Sequence, residues 1–290
     1  MREFLVYTSA GENANVHRWA KQAHRSYDIW ITNYSNTPGL HRGYADHYNE
    51  RKGAKFPNFK WVLENYREHI SAYKAIMIAD DDIILSCADL DALFSLLTEK
   101  QAPIVVPAFS RLGKISHDTT AREWRSDYRY TNFAEVTCPI IRTDLLLDFM
   151  AIYDDSNVQC HGLDWWYLSY WGDKVRDKII ISDTHYCINP RDLVKKGGQR
   201  EIDRHYSEAE RQARWQAKKA ELNIQSFPKV ISRRIPKPFS TLILQTPFFI
   251  AEMVITWLWD KLLPVFLGPI KRLVKSVLRK RISPSSGKSL

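Results

Sequence analysis

The sequence predicts an α/β protein: a Rossmann-type mixed sheet flanked by helices, followed by an amphipathic helical tail. Three observations carry that expectation. Short, continuous apolar runs alternate with helix-length segments, as they do when strands are buried on both faces of a largely parallel sheet. One such run, Ala75 to Ala79, ends abruptly in the carboxylates Asp80, Asp81 and Asp82. Charge is also unevenly placed. From Lys229 onward twelve Lys or Arg face only Glu252 and Asp260, whereas residues 1–228 carry 30 basic and 31 acidic side chains.

In chain order, Phe4 to Thr8 reads as a strand and Ser9 to Asn13 as a small polar loop. A helix over about 16–26 and a strand over 27–34 complete a βαβ unit. The loop lacks both G-x-G-x-x-G and the Walker pattern, which disfavours a nicotinamide dehydrogenase or a P-loop NTPase. Lys52 and Lys55 then flank Gly53 ahead of a helix from about Asn58 to Ser71. Either lysine reaches donor phosphates or belongs to a solvated basic loop.

The carboxylate strand comes next. Ligands of open α/β sheets bind beyond the carboxyl ends of the strands. On an extended chain Asp80 and Asp82 point the same way. Hard cations such as Mg2+ or Mn2+ take oxygen ligands, and Mg2+ is commonly held by one or two carboxylates together with substrate phosphates. The D-x-D spacing suits that use; a solvated acidic turn is the plainer alternative.

A helix over 90–97, a buried strand over 103–107, a strand within 135–142 and a helix capped by Thr143 or Asp144 are expected next. The pattern between Phe109 and Tyr130 is irregular. In Cys160 to Trp171 a single carboxylate, Asp164, stands at the start of an aromatic helix. It either caps that helix or acts as a general base, ionised at the helix N-terminus, with Trp165 and Trp166 walling a sugar site. A further buried strand ends in Asp183 and His185, and His185 either completes a metal site opposite Asp82 or is structural. The basic loop holding Lys196 and Arg200 is suited to closing over a diphosphate. Ser207 and Glu210 have capping-box spacing and open a charged connector helix to about Leu222.

Ten Trp and fourteen Tyr are many for 290 residues, and aromatic faces stack on sugars and bases as well as filling cores. The four cysteines show no Cys-x-x-Cys spacing, so neither a zinc site nor a disulfide framework is expected. The N-terminus enters a strand directly, without the apolar stretch of a secretory signal. A near-neutral body argues against nucleic acid as a partner. Pro228, Pro236 and Pro238 mark a boundary, giving a catalytic domain over 1–227 and a tail over 228–290. Within the tail, 248–263 is apolar with one polar stripe, Pro264, Gly268 and Pro269 break it, and 270–282 is basic and amphipathic. No run reaches eighteen uncharged residues, so residues 239–282 are expected to lie on an anionic membrane surface rather than to span it, with packing on a protein partner or on the catalytic domain as the alternative.

Ala79-Asp80-Asp81-Asp82-Ile83, His161-Gly162-Leu163-Asp164-Trp165-Trp166 and Asp183-Thr184-His185, following a βαβ opening, resemble the GT-A (nucleotide-diphospho-sugar transferase) glycosyltransferases. More closely they are similar to an uncharacterised GT-A-like family of plants and bacteria. The resemblance covers roughly residues 1–200. It implies a metal-dependent transfer of a sugar from a UDP- or GDP-linked donor to an acceptor hydroxyl, with inversion; the basic, apolar tail adds the expectation of a glycan or lipid-linked acceptor at the cytoplasmic face of the membrane. Asp80, Asp82 and His185 would hold Mn2+ or Mg2+, and Asp164 would be the base. Thr8, Ser9, Asp81, Lys52, Lys55, Lys196 and Arg200 would bind the donor, and Trp165, Trp166 and Glu135 the acceptor. A nucleotidyl- or phosphotransferase using the same carboxylates, and a non-catalytic sugar-binding membrane protein, remain as alternatives.

Overall fold

The computed structural model describes residues 1–22, 24–154, 160–192 and 207–282, with the backbone alone for 260 and 262–282. Two compact units divide the chain, Met1–Leu242 and Ile243–Leu290.

The first unit is built on nine strands in the order β3-β2-β1-β4-β7-β5-β8-β6-β9. These are β1 Phe4–Ala10, β2 Tyr27–Asn33, β3 His47–Glu50, β4 Ala75–Asp80, β5 Ile104–Phe109, β6 Ser126–Thr131, β7 Ile140–Arg142, β8 Ile179–Cys187 and β9 Ile231–Pro236. The β3-β2-β1-β4 half is parallel. Short β7 runs antiparallel between β4 and β5, and β6 antiparallel between β8 and β9.

Period-two alternation supplies a core on each face of the sheet. Leu5, Tyr7, Ile76, Ile78, Ile104 and Val106 face one way, into a cluster with Phe56, Phe59, Phe149 and Trp166. Phe4, Val6, Ala75, Met77, Ala79 and Val105 face the other, against Leu90, Leu93 and Phe94. The first cluster is covered by helices α1 (Lys55–Asn65), α2 (Arg67–Ser71), α4 (Thr143–Ile152) and α5 (Leu163–Trp171), the second chiefly by α3 (Cys87–Lys100). Ser86 caps α3 by accepting from Asp89 N. Helix α6 (Glu208–Glu221) opens on the expected capping box of Ser207 and Glu210.

Several elements differ from expectation. Among the described residues the β1–β2 crossover holds a 3-10 turn, Val16–Arg18, in place of a helix to residue 26. The helix expected over 58–71 starts at Lys55 and is interrupted at Tyr66. The proline-rich basic stretch after residue 227 is not a linker throughout: Ile231–Pro236 forms the last strand of the sheet, paired with β6. Pro236 closes that edge strand, a position where a missing N–H costs little.

In the tail, helix α7 (Phe239–Ile282) runs unbroken for 44 residues. Pro264, Gly268 and Pro269 do not end it, since an internal proline removes a hydrogen bond and commonly kinks a helix without stopping it. The 21-residue stretch Phe239–Trp259 is long and apolar enough to cross a membrane, by length and composition. One acid, Glu252, interrupts it without bringing the average below that of a span.

Candidate active site

Three segments meet around the carboxyl ends of β1 and β4. The loop after β1 is tied to the carboxylate run: Gly11 N donates to Asp81 Oδ2 at 2.8 Å, and Asn15 donates from N to the Asp81 carbonyl and from Nδ2 to the Asp82 carbonyl, both at 2.6 Å. The Asp81 carboxylate thus braces the first loop, and Asp80 meets a lysine. Lys55 opens α1, where an ammonium opposes the helix dipole, and its side chain is only 6% exposed. Three acceptors offset that cost. Its Nζ lies 2.7 Å from Asp80 Oδ1, 2.5 Å from the Val136 carbonyl and 3.0 Å from the Thr137 carbonyl. Asp80 itself keeps 40% of its side chain in solvent.

Polar contacts continue from there toward α5. Thr137 Oγ1 donates to Glu135 Oε1 at 2.7 Å, and Thr120 Oγ1 lies between Glu135 Oε2 at 3.2 Å and the His117 carbonyl at 2.9 Å. The His117 ring presents Nε2 to Asp164 Oδ2 at 3.7 Å and Nδ1 to Lys229 Nζ at 2.6 Å. Asp164 is buried, and its Oδ1 accepts from Trp165 N at 3.0 Å. Burial lowers the pKa of Lys229, while Asp164 and Glu135 oppose that shift. Polar contacts thus link Asp80, Lys55, Thr137, Glu135, Thr120, His117 and Lys229, with Asp164 3.7 Å from the His117 ring.

Asp164 owes its place to Gly162. That glycine starts α5 with φ +74°, a conformation that side chains with a Cβ resist, and its carbonyl accepts from Trp165 N and Trp166 N. Trp215 of α6 packs so closely that a Cβ here would stand 2.1 Å from its Cδ2. Asp164 is the second residue of the helix and does not cap it.

The remaining expected site residues fall into three groups. Trp165 is half-buried against Phe133 and Phe227 at ring separations of 5.7 and 4.9 Å. Trp166 does not wall a site: one step along the helix turns it into the core against Phe149 and Tyr153, beneath the Lys218 ammonium. Glu135 is buried on its two threonines.

Thr8 is fully buried and donates to the Ala79 carbonyl, a strut between β1 and β4. Ser9 accepts from Asn58 Nδ2 at 3.0 Å. Lys52 folds onto the 34–36 loop, with Nζ on the carbonyls of Tyr34 and Ser35 and on Asn36 Oδ1. Lys196 and Arg200 lie outside the described residues.

His185 does not join Asp80 and Asp82. The pairing of β8 with β5 slips between Pro107–Ser182 and Ala108–Tyr186, so residues 183–185 form a bulge that re-aims their side chains. His185 Nδ1 sits 3.0 Å from Asp89 Oδ1, beside a cleft of about 390 Å3 that Asp127 and Ser182 also line. Asp183 points inward, fully buried, with Oδ2 accepting from Arg129 Nε at 2.8 Å and Oδ1 from Nη2 at 2.9 Å. Burial pushes its carboxyl up to about 6 against the pull of Arg129.

Among the described residues no group of three or more His, Cys, Asp or Glu is arranged to hold a metal ion. Asp80 and Asp82 alone are oxygen donors of the kind that hold a hard cation when substrate phosphates complete its shell. By donor type they suit a hard cation whose other ligands come from a bound molecule, not a self-contained metal centre.

No protein-family model and no curated protein matches the chain. Solved structures do. Staphylococcus aureus TarS superposes with a TM-score of 0.50 at 12% identity, over 77% of this chain and 43% of that one. The chain has the GT-A fold. It spans less than half the length of that TarS structure. S. aureus TarS 1–349 in complex with UDP-GlcNAc matches at 15% identity over 66% of this chain and 58% of that one, with a TM-score of 0.46. GalNAc-T7 with UDP, GalNAc and Mn2+ matches at 9% identity over 68% and 44%, with a TM-score of 0.48. At these identities the likeness is one of fold. His117, Thr120, Thr137 and Lys229 join the candidate site without being singled out in the sequence. The first two stand in the stretch whose pattern is irregular, Thr137 in one read simply as strand and Lys229 in one read as a linker.

Proposed function

We propose that the protein is a glycosyltransferase that moves a sugar from a nucleotide-diphosphate donor to an acceptor hydroxyl. The observation that carries this reading is the polar wall on a GT-A fold. At one end it presents a half-exposed carboxylate and a buried ammonium where a donor diphosphate belongs, and at the other a buried carboxylate, Asp164, beside a half-open aromatic face. TarS, whose 1–349 piece has been solved with UDP and with UDP-GlcNAc, lends the donor class.

In this reading Lys55 lies beneath the donor phosphates, and Asp80 and Asp82 would give oxygen ligands to a bound Mg2+ or Mn2+. That ion, when bound, supplies charge neutralisation for the departing diphosphate. Asp164 takes the proton of the acceptor hydroxyl as that oxygen forms its bond to the anomeric carbon, which gives inversion. Trp165 and Phe133 offer apolar faces to a sugar ring. The Phe239–Trp259 helix, about 31 Å long at 1.5 Å per residue, holds the enzyme at the inner face of the membrane, where a lipid-linked acceptor is within reach. The reaction then belongs to glycan, polysaccharide or glycolipid biosynthesis.

Calorimetric titration of the full chain with UDP and with GDP, each with and without Mn2+, tests the reading. Metal-dependent binding that Asp80→Ala and Asp82→Ala abolish supports it; a folded protein that binds neither nucleotide refutes it. Release of pyrophosphate instead of nucleoside diphosphate during turnover points to nucleotidyl transfer.

A further inference from the structure

Lys229 sits where no donor or acceptor group is expected, and its surroundings are built. Phe133 and Trp165 rings lie 4.3 and 5.3 Å from its Nζ. The backbone on either side of it is clamped to the end of β6: Asn132 Nδ2 donates to the Pro228 carbonyl, Val230 N donates to Asn132 Oδ1, and Thr131 Oγ1 donates to the Val230 carbonyl, all within 2.9 Å. The ammonium therefore has little choice of position, and its polar neighbour there is Nδ1 of His117 at 2.6 Å.

An ammonium donates and cannot accept. Facing one, Nδ1 must present its lone pair, so the proton of a neutral imidazole resides on Nε2. That is the nitrogen turned toward Asp164 Oδ2, 3.7 Å away. His117 is held from its other sides as well. Phe133 packs edge-on at 4.8 Å, and Thr120 N donates to the His117 carbonyl at 2.9 Å. We propose that Lys229 is a positioning residue for the base: by donating to His117 Nδ1 it fixes the imidazole as the Nε2–H tautomer, so that the positive edge of the ring faces Asp164 Oδ2 across 3.7 Å, an electrostatic contact longer than a hydrogen bond that biases the carboxylate's orientation. The assignment rests on the glycosyltransferase reading above, and it gives the last segment before β9 a part in the chemistry. Second partners that fix the tautomer and tilt of a working histidine have the same effect at metal and triad sites.

The test is nitrogen NMR of histidine-labelled full-length protein, with His117→Gln assigning the ring, alongside transfer kinetics. The wild type should show Nε2 protonated and Nδ1 bare. Lys229→Met keeps the stem on the two rings but removes the donor; it should mix the tautomers and lower kcat on the order of ten- to a hundredfold. Nucleotide affinity should stay within about twofold. Lys229→Arg, which restores a donor, should recover the tautomer and much of kcat. An Nδ1–H tautomer in the wild type, or a tautomer unmoved by Lys229→Met, overturns the proposal. If the imidazole behaves as stated but neither UDP nor GDP binds, the glycosyltransferase reading fails and the positioning role falls with it.

Discussion

Gly162 is the position at which a single methyl group should do most damage to the site. Replacing it by alanine forces a residue with a Cβ to hold φ +74°, which costs about 1–2 kcal/mol for an L-residue in the left-handed region. The new carbon would also stand 2.1 Å from Trp215 Cδ2 and 2.2 Å from Cε2. Trp215 is itself buried, so relieving the overlap means shifting α6 or α5, an overpacking cost of about 1–3 kcal/mol. The sum, roughly 2–5 kcal/mol, should lower the thermal midpoint of the first unit by about 5–15 °C.

Denaturant midpoints of Gly162→Ala, Trp215→Ala and the double variant separate the two contributions. Removing the indole alone should cost about 3–5 kcal/mol as a large-to-small core change. In the double variant the clash is gone, so the two losses should fall short of additivity by about 1–3 kcal/mol, the range seen for contacting residues. Strict additivity would refute the contact. A Gly162→Ala protein within about 0.5 kcal/mol of wild type, the scatter of surface substitutions, would refute the whole account of how α5 starts.

Three further outcomes follow from the same geometry. Arg129→Met should destabilise the protein by about 3–5 kcal/mol in denaturant melts, because it leaves Asp183 as a buried carboxylate without its bidentate partner; a loss under about 1 kcal/mol would mean Asp183 folds neutral. Asp28 is desolvated, which raises its pKa, yet the backbone N–H and guanidinium of Arg2 outweigh burial and hold it below the ordinary aspartate range. A depressed carboxyl contributes stability in full above the unfolded pKa and loses it as pH falls through the folded value. Asp28→Asn should therefore flatten the acid side of the midpoint-versus-pH curve below about pH 4; an unchanged slope would remove Arg2–Asp28 from the account. The full chain should resist extraction from membranes by alkaline carbonate, as spanning helices do, whereas a chain ending at Leu242 should not sediment with them. Full extraction of the intact chain would favour an interfacial helix.

Much of the sheet was legible because buried strands announce themselves. Ala75–Asp80 read as a buried strand, and its carboxylates as sitting at the carboxyl end, where ligands of open α/β sheets bind. Asp164 was legible as a candidate through its odd company of aromatics. The partners of both were not. Lys55 and Lys52 look alike in sequence, both within two residues of Gly53, and only tertiary contacts send one to Asp80 and the other to three oxygens of a neighbouring loop. His185 misled for a definite reason: period-two reasoning assumes an unbroken ladder, and the bulge at 183–185 breaks it. Trp165 and Trp166 were inseparable until the phase of α5 was known. His117 and Lys229 meet across 112 residues, and no local pattern encodes a contact at that separation. The tail was read through its charges and prolines, which made two interfacial segments out of one long helix.

Strand β9 has a bearing on biogenesis. On a chain emerging N-terminus first, Asp80, His117 and Asp164 are all synthesised well before residue 229, and the earlier elements can pack as they appear. Lys229 comes into register only when Ile231–Pro236 docks on the sheet edge, the most sequence-distant strand pairing in the unit and so a late one by loop-closure cost. The nascent protein thus holds its carboxylates in an unfinished site, and the segment that finishes it is the one immediately ahead of the apolar helix. Completion of this cluster and emergence of the apolar helix Phe239–Trp259 become consecutive events on the ribosome.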